Sequence, residues 1–419
     1  MASSGFRSSF FNTDLRPVLT TALLLALAIF DVPSLQAQKY SVLYNFTRGQ
    51  DGAYPEAGLT MDRSGNLYGT AYQGGSSDRG TVFKLAHKGA GWVLSPLYNF
   101  TGREDGGAPI ARVVFGPDGS LYGTTEFGGR NCGSGCGTVF NLKPSPAACK
   151  SAICGWTQTV IYRFSGFSDG ANPGYGDLTF DQAGNIYGTT IFGGNNAQGV
   201  VYELAPSGGS WTESAIYLFT GAADGANPYN SVIFDAAGNL YGTTFLGGSG
   251  YGTVFQLKPS GSGWTQNTLY TFQNSTDGGN PFGGVILDKA GDLYGTTSGG
   301  GTGSGGTIFE LSNGTWTFSL LYSFVASAYL PGPYDSLTMD AAGNLYGTTI
   351  KGGAHGQGSV FRLTASGGSW TETDLYDFPG GGQGAVPYGS VLLDSNGNLY
   401  GTASQGGANS YGVIWEITP

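Results

Sequence analysis

Five aspartates recur in one short string. D-G-x-x-P places Asp51, Asp105, Asp169, Asp224 and Asp277 four positions ahead of a proline, and two further copies put Tyr329 and Gln383 in the aspartate's place. Carboxylates gathered from several copies are hard oxygen donors of the kind that hold a calcium ion or the hydroxyls of a sugar. The plainer chemistry of the same string is a turn. Asp-Gly followed by Pro is ordinary loop chemistry, and no copy has the dense oxygen spacing of a calcium-binding loop. After the proline, the later copies carry Tyr229, Phe282, Tyr334 and Tyr388, whereas the first three carry Glu56, Ile110 and Gly174. An arc of rings can stack a carbohydrate or anchor a protein partner, or it can simply cover the top of a core.

General acid–base chemistry has few candidates. The sequence holds two histidines, His87 and His355. They fall in different loop types, expected at opposite ends of a unit, so they share neither a metal nor a dyad. His355 is the one candidate base, and a solvated loop histidine is the plainer reading. No nucleophile elbow, phosphate-cradling glycine loop or zinc-hydrolase motif is present. Cys132 and Cys136 flank one end of a strand-like run, Gly137–Leu142, and Cys149 and Cys154 lie beyond its other end. Such a strand spans about 20 Å, whereas a disulfide needs Cα atoms within about 7 Å. The pairing expected is therefore Cys132–Cys136 with Cys149–Cys154, and the same geometry excludes a four-cysteine zinc site.

The elements that position these residues come from a repeat. The string G-N-L-Y-G-T has seven versions, with tyrosines at 68, 122, 187, 241, 294, 346 and 400, and DAAGNLYGTT occurs twice unchanged. Apart from one insertion the period is close to 53 residues. Each period holds four strand-like runs: a short apolar run such as Val232-Ile233-Phe234, then L-Y-G-T-T, then G-T-V-F-x-L, then a run from Trp to L-Y-x-F. Turn signals separate them. Four strands per unit in seven units predict an all-β chain, a seven-bladed β-propeller of antiparallel blades. The segment KYSVLYNF, residues 39–46, reads as a fourth strand without its first three, and GVIWEI, residues 412–417, as a third strand without its fourth. Tyr40–Phe46 is expected to pair with Val413–Ile417 and close the ring. Antiparallel order puts the inter-blade loops and the loops between second and third strands on one face. That face holds the D-G-x-x-P strings.

D-x-x-G-N-L-Y-G-T-T, G-G and G-T-V-F-x-L at this spacing resemble the GloVer-type tandem repeat of secreted bacterial proteins. The likeness covers residues 38–419. It implies an exported, propeller-like array and no particular activity. Members often carry a C-terminal surface anchor, a segment not read here.

Residues 1–37 are expected to be a secretory signal peptide, with Arg7 and Arg16 ahead of the thirteen apolar-rich residues Val18–Phe30 and a cleavage site after Ala37. Thirteen residues are too few for a membrane-spanning helix, which needs about 20. The formal net charge is −10, and it persists without residues 1–37, where Arg7 and Arg16 balance Asp14 and Asp31. An acidic chain without basic clusters is a poor partner for nucleic acid. The expectation is a secreted, soluble, monomeric binding or scaffold module of residues 38–419 with no membrane span after cleavage. Its partner would be an extracellular glycan or a surface protein, docked on the inter-blade-loop face. No cofactor is expected, apart from the calcium ion that the aspartate arc would admit. Two alternatives are a propeller lyase or lactonase using a channel cation or His355, and a structural envelope protein.

Overall fold

A computed structural model describes residues 38–89, 91–129, 132–133, 135–145, 155–261, 263–326 and 332–419. The expected signal peptide, together with Cys149, Cys154 and Tyr329, lies outside the described residues.

The compact unit Gln38–Pro419 is a ring of seven four-stranded antiparallel sheets. In the fourth blade the strands are Ile233–Phe234, Leu240–Thr244, Thr253–Ser260 and Gly263–Thr271, running from the channel outward. Inner strands have two residues where the sequence predicts three; Val232 instead packs into the core ahead of its strand. The outer strand of the fifth blade starts at Thr317, one residue later than the pattern, because Trp316 is held in a left-handed conformation (φ 53°) by the turn before it. The other described strands follow the repeat.

DAAGNLYGTT folds as its chemistry requires. Asp235 Oδ1 accepts the backbone N–H groups of Ala237 and Asn239 at 2.8 and 2.9 Å, and Oδ2 accepts the Asn239 amide and the Tyr241 hydroxyl at 2.7 and 3.0 Å. Gly238 supplies the positive φ, 84°, at the tip. Gly242 is needed for space: a Cβ there would lie 2.7 Å from the Phe255 ring and 3.2 Å from Val232. That ring is fully buried between blades, beside Phe219 and Val201 of the preceding one. The first threonine of L-Y-G-T-T then reaches the next blade. Thr243 Oγ1 donates to the Gly283 carbonyl at 2.8 Å, and Thr70, Thr189, Thr348 and Thr402 do the same to their neighbours. These bonds fasten the segments that line the channel.

Ring closure is as the sequence implied. Lys39–Asn45 pairs antiparallel with Val413–Thr418, from Lys39↔Thr418 to Asn45↔Val413. The last blade is completed by the first strand.

Candidate functional site

The two loop types expected on one face do meet there. Isolated bridges join Ala53 to Gln73, Gly107 to Phe127, Ala171 to Phe192, Ala226 to Leu246 and Ala385 to Gln405. Each links an inter-blade loop to the loop between second and third strands of the same blade.

The five aspartates sit in this face but turn back onto their own outer strands. Asp169 accepts the Tyr162 hydroxyl at 3.0 Å, the Ser165 N–H at 2.8 Å and the Ser165 hydroxyl at 2.5 Å. Asp51, Asp105 and Asp224 repeat the pattern with Tyr44, Tyr98 and Tyr217 and a following threonine. Asp277 bonds Tyr270, Gln273 and Ser275. Each carboxylate is a local clamp between strand end and loop. Among the described residues no group of three or more His, Cys, Asp or Glu is placed to hold a metal ion. Gln383 plays a different part: its carbonyl accepts the Tyr40 hydroxyl and so ties the ring closure.

The aromatic residues converge. Phe282 stacks on Tyr229 (4.7 Å between centroids) and on Tyr334 (4.5 Å), and Tyr334 meets Tyr388 edge-on at 5.9 Å. A fifth ring, Tyr175, joins Phe282 at 4.9 Å. The sequence alignment put Gly174 at that place. Unit three has one extra residue between its proline and its inner strand, so Tyr175, not Gly174, holds the aromatic position. The insertion leaves a second trace. Thr124 Oγ1, whose counterparts bond the next blade, is buried without a hydrogen-bond partner. Five half-buried rings with Glu56 and Ile110 thus form a collar around the channel mouth.

Below the collar lies a polar cluster that the repeat reading missed. Arg112 Nε donates to Asp177 Oδ2 at 2.9 Å, and its Nη2 forms an ion pair with the same oxygen. Asp335 accepts the Asn230 amide at 3.0 Å and the backbone N–H groups of Ser336 and Ser390, each at 2.7 Å. Burial, and then the negative charge of Asp177, raises the Asp335 carboxyl above the usual carboxylate range. The cavity left between collar and cluster is about 10 Å³, room for about one water molecule. His355 is exposed in its loop and does not line this cavity. His87 packs against Trp92 at a tilt of 45°, 3.9 Å between centroids, across the far hairpin.

Outside the collar a larger groove of about 630 Å³ runs between blades one and two, lined by Arg48, Tyr72, Asp78, Arg79 and Phe127 among others. The Cys132–Cys136 disulfide, Cα atoms 5.5 Å apart, clips the long loop on its blade-two side. That bridge is the local pairing expected.

This geometry has a family behind it. The model of the Gloeobacter/Verrucomicrobia repeat matches residues 28–153, 149–332 and 331–419. The chain belongs to this repeat family. No curated protein matches this Gloeobacter/Verrucomicrobia repeat chain. Its fold is similar to that of a putative 6-phosphogluconolactonase from Bacteroides uniformis (TM-score 0.52, 16% identity, 83% of this chain and 89% of that one). PorZ, an essential surface component of the type-IX secretion system of Porphyromonas gingivalis, is similar over 88% of this chain (TM-score 0.49, 18% identity), which spans 46% of PorZ. The polysaccharide lyase Uly1 is similar over 92% of this chain and 93% of its own (TM-score 0.48, 12% identity). At these identities the likeness is one of fold alone.

Several half-buried glutamates of this repeat protein carry a pH dependence near neutrality. Burial pushes Glu56, Glu126, Glu213 and Glu372 up to about 7, with a nearby carboxylate adding to the rise for Glu56, Glu213 and Glu372. A carboxyl whose folded pKa is raised stabilises the fold fully below its unfolded value, about 4.3. That contribution is lost as pH rises through about 7. The melting temperature is therefore expected to fall between about pH 4.3 and about pH 7. Glu56→Gln is expected to flatten that fall in a pH series of thermal melts; an unchanged slope contradicts the assignment.

Proposed function

We propose that the protein is a binding module that engages an extracellular glycan through its inter-blade-loop face. One observation carries the reading: among the described residues, the aromatic collar, the buried ion pair and the groove cation, none of them repeated in all seven units, gather on that face. The collar, the groove and four of the seven exposed large apolar residues among the described ones, Phe167, Phe192, Leu246 and Tyr251, belong to its loops. The opposite face carries the repeated Asp-clamped turns. A channel with space for about one water molecule favours recognition at the mouth over chemistry in the interior. A surface protein is the second reading, favoured by those four exposed apolar side chains. Action outside the cytoplasm is supported by the expected signal peptide and the disulfide. Among the described residues, no helix is long and apolar enough to cross a membrane.

A glycan array probed with residues 38–419, with and without calcium, tests the reading. Binding is expected, and Tyr334→Ala with Tyr388→Ala should weaken it at least about tenfold while a thermal melt shows the ring intact. A calcium requirement would bring a cation into the site. A blank array overturns glycan recognition; retained binding by the double variant removes the collar from it.

A further inference from the structure

We infer that the groove between blades one and two binds a carboxylated sugar, a uronic acid unit of an acidic glycan, with Arg79 on the carboxylate and Tyr72 and Phe127 against the ring. This rests on the glycan-binding reading above and gives it a ligand class and a place.

The first support is space. About 630 Å³ falls within the size range of small-ligand pockets. The second is a cation where the repeat has none. Arg79 occupies the position held by Gln198, Tyr251, Gln357 and Tyr411 in other units, and in each the backbone carbonyl accepts an N–H of the following unit. The scaffold needs only that carbonyl, so the guanidinium is surplus to the fold. Its stem rests over Gly102, where a Cβ would lie 2.8 Å from Arg79 Cδ. Among the described residues Arg79 forms no ion pair. Asp78, the carboxylate that its charge reaches, is already paired with Arg48; in a chain of net charge −10, an arginine with no ion pair of its own at the wall of a cavity is open to an anion. Its planar fork matches a carboxylate with two parallel hydrogen bonds.

Arg48 behaves otherwise. It pairs with Asp78 at 2.8 Å, and its guanidinium lies 5.7 Å from the Tyr411 ring centroid. Asp78 also accepts the Gly74 N–H at 2.9 Å. That latch shapes one rim and leaves Arg79 as the recognising cation. Tyr72 and Phe127 are half-buried and line the same groove. A pyranose face stacks on such rings at low entropic cost. Glu126 and Glu56 lie close enough to Tyr72 to raise its hydroxyl, after burial, while Arg79 acts the other way. The groove thus offers a cation and a ring platform.

The test is calorimetric titration of residues 38–419 with tetragalacturonate, tetramannuronate and tetraglucuronate, each beside its uncharged methyl ester. At least one acid is expected to bind, with its ester at least about tenfold weaker and binding that weakens as salt is raised. Arg79→Gln should cost a similar factor; the side chain is exposed, and the melting temperature should not change. Binding by no acid, equal binding of acid and ester, or an unaffected Arg79→Gln each overturns the groove assignment. If the array above is positive in any of those cases, the glycan reading stands and only its location and ligand class fall. If the array is blank as well, both fall.

Discussion

Removing residues 38–46 is expected to abolish the cooperative thermal transition of the ring. The segment supplies the fourth strand of the last blade and packs between the last blade and the first. Its register runs from Lys39↔Thr418 to Asn45↔Val413. Tyr40 stacks on Tyr376 at 3.7 Å, 1° from parallel, and its hydroxyl donates to the Gln383 carbonyl at 2.5 Å. Phe46 is fully buried against Phe83 of the first blade, 5.3 Å between centroids. Losing one such phenylalanine costs about 3–5 kcal/mol, and the deletion also strips the Val413–Thr418 edge of its partner. These losses approach the whole stability of an ordinary domain, about 5–15 kcal/mol. A chain starting at residue 47 that melts at the same temperature, with the same sharpness, would refute closure by this strand.

The second large effect is expected at Arg112. Its guanidinium is the cation nearest two carboxylates in the channel, Asp177 and Asp335, and both charges raise its pKa, Asp177 the more. The Arg112 and Asp177 side chains are 30% and 23% exposed, so solvent screens the pair in part. Breaking a fully buried pair from one side costs about 3–5 kcal/mol, the upper bound here, because the remaining charge stays desolvated. With unfolding entropy near 2.1 cal/mol/K per residue, Arg112→Met should lower the melting temperature by up to about 4–6 °C. The deficit should shrink as pH falls toward about 4, because the stranded carboxyls, raised above their unfolded value, take up protons in the folded state first. Arg112→Met combined with Asp177→Leu should recover most of the loss, since replacing both partners removes the uncompensated charge. A single variant within about 1 °C of the parent sinks the argument, as does a double variant no better than the single.

The scaffold was legible because its rules are local and repeated. Asp235, Gly238 and Asn239 specify a turn, Gly242 marks a close approach, and alternation fixes which face each residue serves; every link spans a few residues. Closure was legible for the same reason, as two incomplete copies of one pattern. The channel cluster was not. Arg112, Asp177, Asn230 and Asp335 come from four blades and sit between proline and inner strand, where the copies diverge. Only the curvature of the ring brings them together. Tyr175 was hidden by one inserted residue. Aligning the units on the apolar residue that precedes each inner strand, Leu178 in unit three and Val232 in unit four, would have found it. The aspartates follow the plainer of the two chemistries their string allowed, a loop clamp: a residue repeated in five units answers to what the units share, here a tyrosine and a following loop residue on the same strand end.

The pairing of Tyr40 with Ile417 also sets an order of events during synthesis. Within the ring, the strand made first is the last to find its neighbour, because that neighbour is the ring's last strand to emerge. Until then the growing chain carries blades whose apolar flanks have no cover, and the earliest strand waits unpaired. A polypeptide released early, or clipped before Val413, can form several blades but cannot join its ends. Its open flanks remain available to proteases and to other unfinished chains. The ring therefore distinguishes finished molecules from unfinished ones by geometry alone: only a chain that reaches its last strand can hide its first.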